Sequence, residues 1–204
     1  MKGDRRDSPK KEEKNKEKEE DMLPELPEEI ILRILSFVDA KTAVQTSVLN
    51  KRCRCLWAFL PVINFDDASF KNVIFFEDFV DKFLSCRDTS TNVFNVNFDC
   101  RFGLYNDYFV DIIIEHVTDT PSITTTIEVL SIRAMSRITN LPTLSLCTSL
   151  TTLKLSYIFT QTTNFDIPSL KHLYIRSCQF CCGLVNTFDP VKGCVNLESL
   201  PLIF

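Results

Sequence analysis

The sequence predicts an α/β chain: a three-helix N-terminal module, then a short, irregular solenoid of repeats whose strands form a parallel sheet. Three observations lead there. After Pro27, the apolar residues Ile30, Ile31, Ile34, Leu35 and Val38 recur at helical spacing. Downstream, an apolar x-x-apolar-x-apolar pattern occurs four times, at Ile127-Leu130-Ile132, Leu150-Leu153-Leu155, Leu170-Leu173-Ile175 and Leu197-Leu200-Leu202, in steps of 23, 20 and 27 residues. Between these regions, strand-like and helix-like stretches alternate, the order expected of an α/β fold.

Composition narrows the classes of function. With 204 residues there is room for one moderate domain, or a small module fused to a larger one. Four Gly argue against a glycine-rich phosphate cradle, and a net charge of -4 argues against a nucleic-acid partner. Nine Cys, an odd number behind a charged N-terminus, point to reduced thiols in the nucleus or cytoplasm rather than to disulfides. No apolar run approaches the roughly 18 residues a membrane span needs, so no membrane association is expected.

Residues 1–21 carry eight basic and eight acidic side chains and a single apolar residue, Met1, the composition of a disordered solubilising tail. The helical module covers residues 22–61. Pro27 suits the first helical position, and Glu28 and Glu29 suit the positive end of the helix dipole. Asp39 is placed to cap a second helix with Ala40, Ala43, Val44 and Val48 on one side. Asn50 is placed to cap a third, with Leu56, Trp57 and Leu60 inward, and Pro61 ends it. So small a core leaves apolar surface over, part for internal packing and part for a partner.

The phrase LPEEIILRILSFV, a short Asp-Ala-Lys turn and AVQTSVLNKRCRCLW together resemble an F-box, in particular the plant form, over Leu23 to about Leu60. That resemblance implies docking onto a Skp-type adaptor, and through it a link to cullin and RING subunits. The family's adaptor-facing positions fall on Leu26, Pro27, Ile30, Ile34, Leu35, Val48, Leu49 and Trp57. The sequence departs from the plant pattern at Cys53, where the first Trp of Arg-Trp-Arg is usual, so weakened docking is expected.

Residues 62–204 form the second region. Val62 to Phe65 and Val93 to Phe98 read as strands; Val73 to Leu84 and Asp107 to Val117 read as helices, with Phe76, Phe79, Val80, Phe83 and Phe109, Ile112, Ile113, Val117 inward. The four-fold pattern has the length and wording of leucine-rich repeats, and Val93-Val96-Phe98 is an earlier copy 34 residues upstream of Ile127. No single repeat buries its apolar face, so neighbours must stack. Strand alternation turns Thr151, Thr152, Lys154, Lys171, His172, Tyr174 and Arg176 outward, which makes Lys154, Lys171, His172, Tyr174 and Arg176 candidate target-binding residues. The Asn usual after the third apolar position is missing, with Ser156 and Ser177 near that place. The phrase LPTLSLCTSLTTLKL, Leu141 to Leu155, is similar to plant F-box proteins with divergent leucine-rich repeats, and beside them this chain reads as a shortened form.

Two constellations tempt toward chemistry. Cys178, Cys181, Cys182 and Cys194 include a CxxC, but Cys147 and Cys194 each lie three residues before a repeat start, and Cys178 lies three after Ile175. Small buried thiols explain them better than a metal. His172 has no recognisable acid or nucleophile partner, and the chain holds no phosphate loop or HExxH. No enzyme activity, metal or cofactor is expected. The resulting expectation is a substrate-recognition adaptor of an SCF-type cullin-RING ubiquitin ligase, with an unknown protein as substrate. The alternative is a scaffold or decoy that binds the adaptor with too few repeats to hold a target.

Overall fold

The computed structural model describes residues 26–49, 53–101, 103, 108–161, 165–181, 191 and 193–203. The charged tail lies outside them. Helix α1 (Glu28–Leu35) begins one residue after Pro27, whose carbonyl accepts from the Ile30 and Ile31 amides. The broad apolar face expected of α1 divides in two. Ile31 and Leu35 are buried, whereas Ile30 and Ile34, each one step earlier on the 100° helical wheel, face out.

Asp39 caps α2 (Ala40–Gln45), accepting from the Thr42 amide at 3.0 Å and the Thr42 hydroxyl at 2.7 Å. Ala40 and Ala43 pack inward as expected. Val48 does not join them: after Gln45 the chain tightens into a 3-10 turn, Thr46–Val48, and the changed pitch leaves Val48 83% exposed. The expected third helix begins at Asn50, outside the described residues; its described part is another 3-10 turn, Leu56–Phe59, that buries Leu56 and leads into the buried Leu60.

The remainder is mixed α/β around one parallel sheet. In chain order the elements are β1 (Val62–Asp66), α3 (Val73–Cys86), β2 (Asn95–Asp99), α4 (Phe109–Asp119), α5 (Pro121–Thr124), β3 (Val129–Ile138), β4 (Thr152–Thr160), β5 (His172–Arg176), β6 (Gln179–Phe180) and β7 (Leu202–Ile203). The strands lie side by side as β1-β2-β3-β4-β5-β7, with β6 pairing to β4. Asn72 caps α3 by accepting from the Phe75 amide at 3.0 Å. In α4 the buried side is Phe109, Val110, Ile113, Ile114 and Val117, so Ile112 faces solvent instead of the core. The fourth expected repeat is the least regular: Leu197 and Leu200 are partly buried, and its strand is only β7 plus a bridge between Ser199 and His172.

The strands start in a common register. The amides of Glu128 and Val129 donate to the Phe94 carbonyl, those of Thr151 and Thr152 to Glu128, those of Lys171 and His172 to Thr151, and those of Glu198 and Ser199 to Lys171. Polar side chains stitch the same levels: Ser122 Oγ donates to the Thr89 carbonyl, Ser149 Oγ to Thr125, Ser169 Oγ to Cys147 and Asn196 Nδ2 to Pro168. Turn carbonyls are thereby tied to the next level one step at a time.

This register produces two buried apolar rows, Ile63-Val96-Leu130-Leu153-Leu173 and Phe65-Phe98-Ile132-Leu155-Ile175. Burying each such side chain is worth about 1.5–3 kcal/mol. Trp57 lies 5.1 Å from Phe83 between ring centroids, and Phe83 lies 5.3 Å from Phe65, so an aromatic chain joins the helical module to α3 and the sheet. One core cluster runs from Ile31 to Cys194.

Candidate functional site

Two surfaces collect the residues singled out from the sequence. On the helical module, Leu26, Pro27, Ile30, Ile34, Val48 and Leu49 are exposed, Ile34 by 52%. Leu35 is buried against the core, and Trp57 is half-buried against Phe83, so neither belongs to the open apolar surface. Phe37, 80% exposed, was not singled out; it lies two residues past the end of α1, in a turn where its amide donates to the Ile34 carbonyl. Cys53 is buried, a small side chain in a packed position.

The second surface is the sheet's solvent face. Its three rows are Val62-Asn95-Val129-Thr152-His172-Ser199, Asn64-Asn97-Ser131-Lys154-Tyr174 and Asp66-Asp99-Arg133-Ser156-Arg176. Lys154, Lys171, Tyr174 and Arg176 are exposed and His172 is half-buried. The expectation that His172 lacks a nucleophile-type partner is corrected, because Ser199 on the neighbouring strand level lies 3.0 Å from its Nδ1. Among the described residues no carboxylate hydrogen-bonds to either side chain, and their pairing follows from strand register. Arg133 is a face residue that the sequence reading left out; alternation from the buried Ile132 would have found it.

Charge is unevenly spread over this face. Asp66 and Asp99 occupy β1 and β2, and Arg101 lies 3.8 Å from Asp66 and 3.7 Å from Asp99. Arg133 reaches Asp99 at 3.8 Å. Burial raises the Asp99 carboxyl above its ordinary range, an effect Arg133 and Arg101 only partly offset. On β4 the Lys154 ammonium lies over the Tyr174 ring, 5.4 Å from its centroid, and Lys171 pairs with Glu198 at 3.1 Å.

The cysteines divide by position. Cys147 and Cys194 are buried at equivalent places, and Cys178 is half-buried against the core. Of the two residues the repeat aligns with Cys178, Ile158 is buried but Met135 is 55% exposed. Unbroken alternation along β3 turns Ala134 and Ser136 inward and Met135 out, whereas on β4 the alternation breaks between Leu155 and Ile158, both buried, where the β3–β4 register shifts. Cys181 is exposed and Cys182 lies outside the described residues. Among the described residues no three His, Cys, Asp or Glu side chains gather as metal ligands.

An exposed apolar stripe on a small helical module, set on a parallel sheet with a polar face, defines a protein-binding chain. Residues 23–63 match the F-box domain. Several proteins of Arabidopsis thaliana are similar along most of this chain. An F-box protein is 26% identical over 197 residues, covering 90% of this chain and 46% of its own length. An F-box/LRR-repeat protein is 30% identical over 198 residues, 89% of this chain and 49% of its own. A putative F-box/FBD/LRR-repeat protein is 27% identical over 204 residues, 96% of this chain and 42% of its own. The chain carries an F-box domain at residues 23–63, is similar beyond it to F-box proteins of a plant, and spans less than half the length of these relatives.

Proposed function

We propose that this chain is a substrate-recognition adaptor of an SCF-type ubiquitin ligase. The helical module docks a Skp-type adaptor, which carries cullin and RING subunits, and the sheet, read as a short leucine-rich-repeat solenoid, holds a protein target. The supporting observation is the stripe of Leu26, Ile30, Ile34 and Phe37 with Val48 and Leu49, exposed within the segment that matches the F-box. So many large apolar side chains exposed on one small module are costly to leave in water and are characteristic of a protein interface. The ligase chemistry resides in the partner subunits, and the adaptor acts by raising the effective concentration of the target beside them. Such a complex works in the nucleus or cytoplasm, where thiols stay reduced.

The test is capture of a purified Skp-type adaptor by the full chain and by an Ile30→Asp/Ile34→Asp variant. Both side chains are exposed, so the variant keeps its fold, while two carboxylates placed in an apolar interface reduce capture by about a hundredfold or more. Equal capture by both chains overturns the docking reading. Ubiquitination of a bound target by the reconstituted ligase distinguishes a receptor from a decoy.

A further inference from the structure

The outer face of the sheet is a bipolar strip whose cationic end is concentrated on three strands. In the paired register Ser156 lies between Arg133 on β3 and Arg176 on β5, and Lys154 lies two residues earlier on the same side of β4. With strands about 4.8 Å apart, the two arginines stand about 10 Å from each other and flank the serine. Arg133, Lys154, Ser156, Tyr174 and Arg176 line a concavity of about 510 Å³ that extends toward Asp99.

The positive charge there is largely uncompensated. Among the described residues, neither Lys154 nor Arg176 has a carboxylate within 4.0 Å. Arg133 shares Asp99, itself divided with Arg101, at 3.8 Å. The Tyr174 ring beneath Lys154 holds the ammonium over the face.

We propose that this cationic end docks an extended acidic segment of a partner protein, with Arg133, Lys154 and Arg176 meeting its Asp or Glu side chains. Successive same-side residues of an extended chain stand about 6.5–7 Å apart, a spacing that lets neighbouring carboxylates reach different members of the triad. Arginine adds bidentate geometry to the charge. The acidic end of the strip, Asp66 and Asp99, limits the anionic stretch to β3–β5 and disfavours a continuous polyanion such as nucleic acid. The inference rests on reading the sheet face as the target-binding side and names the class of target.

The experiment uses the full chain bound to its adaptor and three fluorescent probes: a 12-residue peptide of alternating Glu and Ser, its Gln counterpart, and an oligouridylate of equal charge. The Glu peptide is expected to bind at least about tenfold more tightly than the other two and to weaken as salt rises. Arg133→Gln/Lys154→Gln/Arg176→Gln is expected to lose at least about tenfold of that affinity while capturing the adaptor normally. No binding of the Glu peptide, equal binding of the Gln peptide, tighter binding of the oligouridylate, or an unaffected triple variant overturns the proposal. Loss of adaptor capture by the Ile30/Ile34 variant is scored separately, so failure of docking and failure of this site are told apart.

Discussion

The carboxamide of Asn97 donates to that of Asn64 at 2.7 Å, and this pair links the outer face of the sheet to the helical module. Asn64 in turn donates to the carbonyls of Ser36 at 3.0 Å and Val38 at 3.2 Å, just beyond α1. The orientation of the apolar stripe relative to the sheet is thus set partly by one side chain on the first strand.

Asn64→Ala removes all three bonds and is expected to cost about 2–3 kcal/mol, whereas Asn97→Ala removes one and costs about 1 kcal/mol. Urea unfolding of the two single variants and the double variant gives a coupling of about 1 kcal/mol if the pair acts as described. An Asn64→Ala cost no larger than that of Asn97→Ala would show that the link to α1 contributes nothing.

A second clamp holds the exit of β3. Asp111 on α4 is buried and accepts from the Thr139 amide at 2.9 Å, the Thr139 hydroxyl at 2.7 Å and the Asn140 amide at 3.0 Å. Asp111→Ala leaves these donors unmet and is expected to destabilise by about 3 kcal/mol, while Asp111→Asn keeps one acceptor and costs less. The check is the shift in urea midpoint at constant slope. Equal midpoints for Asp111→Ala and the unmodified chain would rule the clamp out.

What could be read from the sequence was governed by how local each signal is. The inward residues of β2, β3, β4 and β5 followed from a period of two, and the caps of α2 and α3 use side chains within three residues of the amides they meet. The Asn64 link spans 28 residues to Ser36, and Asp111 stands 28 from Thr139, separations at which no periodicity carries information. Leu35 and Ile34 are adjacent and equally apolar, so only the position of the sheet decides which is buried. Met135 faces outward by plain alternation from Ile132, whereas the break that buries both Leu155 and Ile158 on β4 has no signal in the residue types beside it. The Tyr157 and Ser177 backbones sit in the left-handed region at φ 63° and 48°, two residues past Leu155 and Ile175, where an Asn or Gly would have marked the turn.

Ser177 is exposed, so its left-handed backbone can be tested without disturbing the core. Ser177→Gly removes the Cβ penalty but gives the unfolded chain more freedom, and a net stabilisation of about 0.5–1 kcal/mol is expected. Ser177→Val, β-branched at the same φ, should destabilise. If both variants unfold at the same urea concentration, the left-handed turn is not a strain point.

Thiol reactivity provides an independent map of the core. Burial pushes the Cys147 thiol up to about 11 and raises those of Cys178 and Cys194, while Cys55, Cys86 and Cys181 are exposed. At pH 8 the thiolate fraction of Cys147 is then about one in a thousand, before any steric protection is counted. Native alkylation at pH 8 should therefore mark Cys55, Cys86 and Cys181 first, and Cys147 and Cys194 only in denaturant. Early modification of Cys147, read by peptide mass mapping, would contradict its place in the core.

The last prediction concerns acid. His116 on α4 is half-buried, and its Nε2 has no hydrogen-bond partner among the described residues. Burial lowers its pKa below the ordinary 6.5, and the Arg87 guanidinium lowers it further against a smaller opposing effect of Asp119. Arg87 is itself buried, donates to the Leu60 carbonyl at 3.0 Å and is drawn down to about 10 by desolvation, so it stays cationic throughout the range in which His116 titrates. The unfolded chain therefore binds this proton more readily than the folded one. Stability is fully present above about pH 6.5 and is lost as the pH falls through the lowered value. Asp99, with its raised carboxyl, acts in the opposite sense. Thermal melts between pH 7.5 and 5 should show a falling Tm in the unmodified chain and a flatter profile for His116→Gln. Arg87→Met should flatten the profile only in part, because burial, the larger cause, remains. A His116→Gln profile as steep as that of the unmodified chain would assign the acid sensitivity to another group.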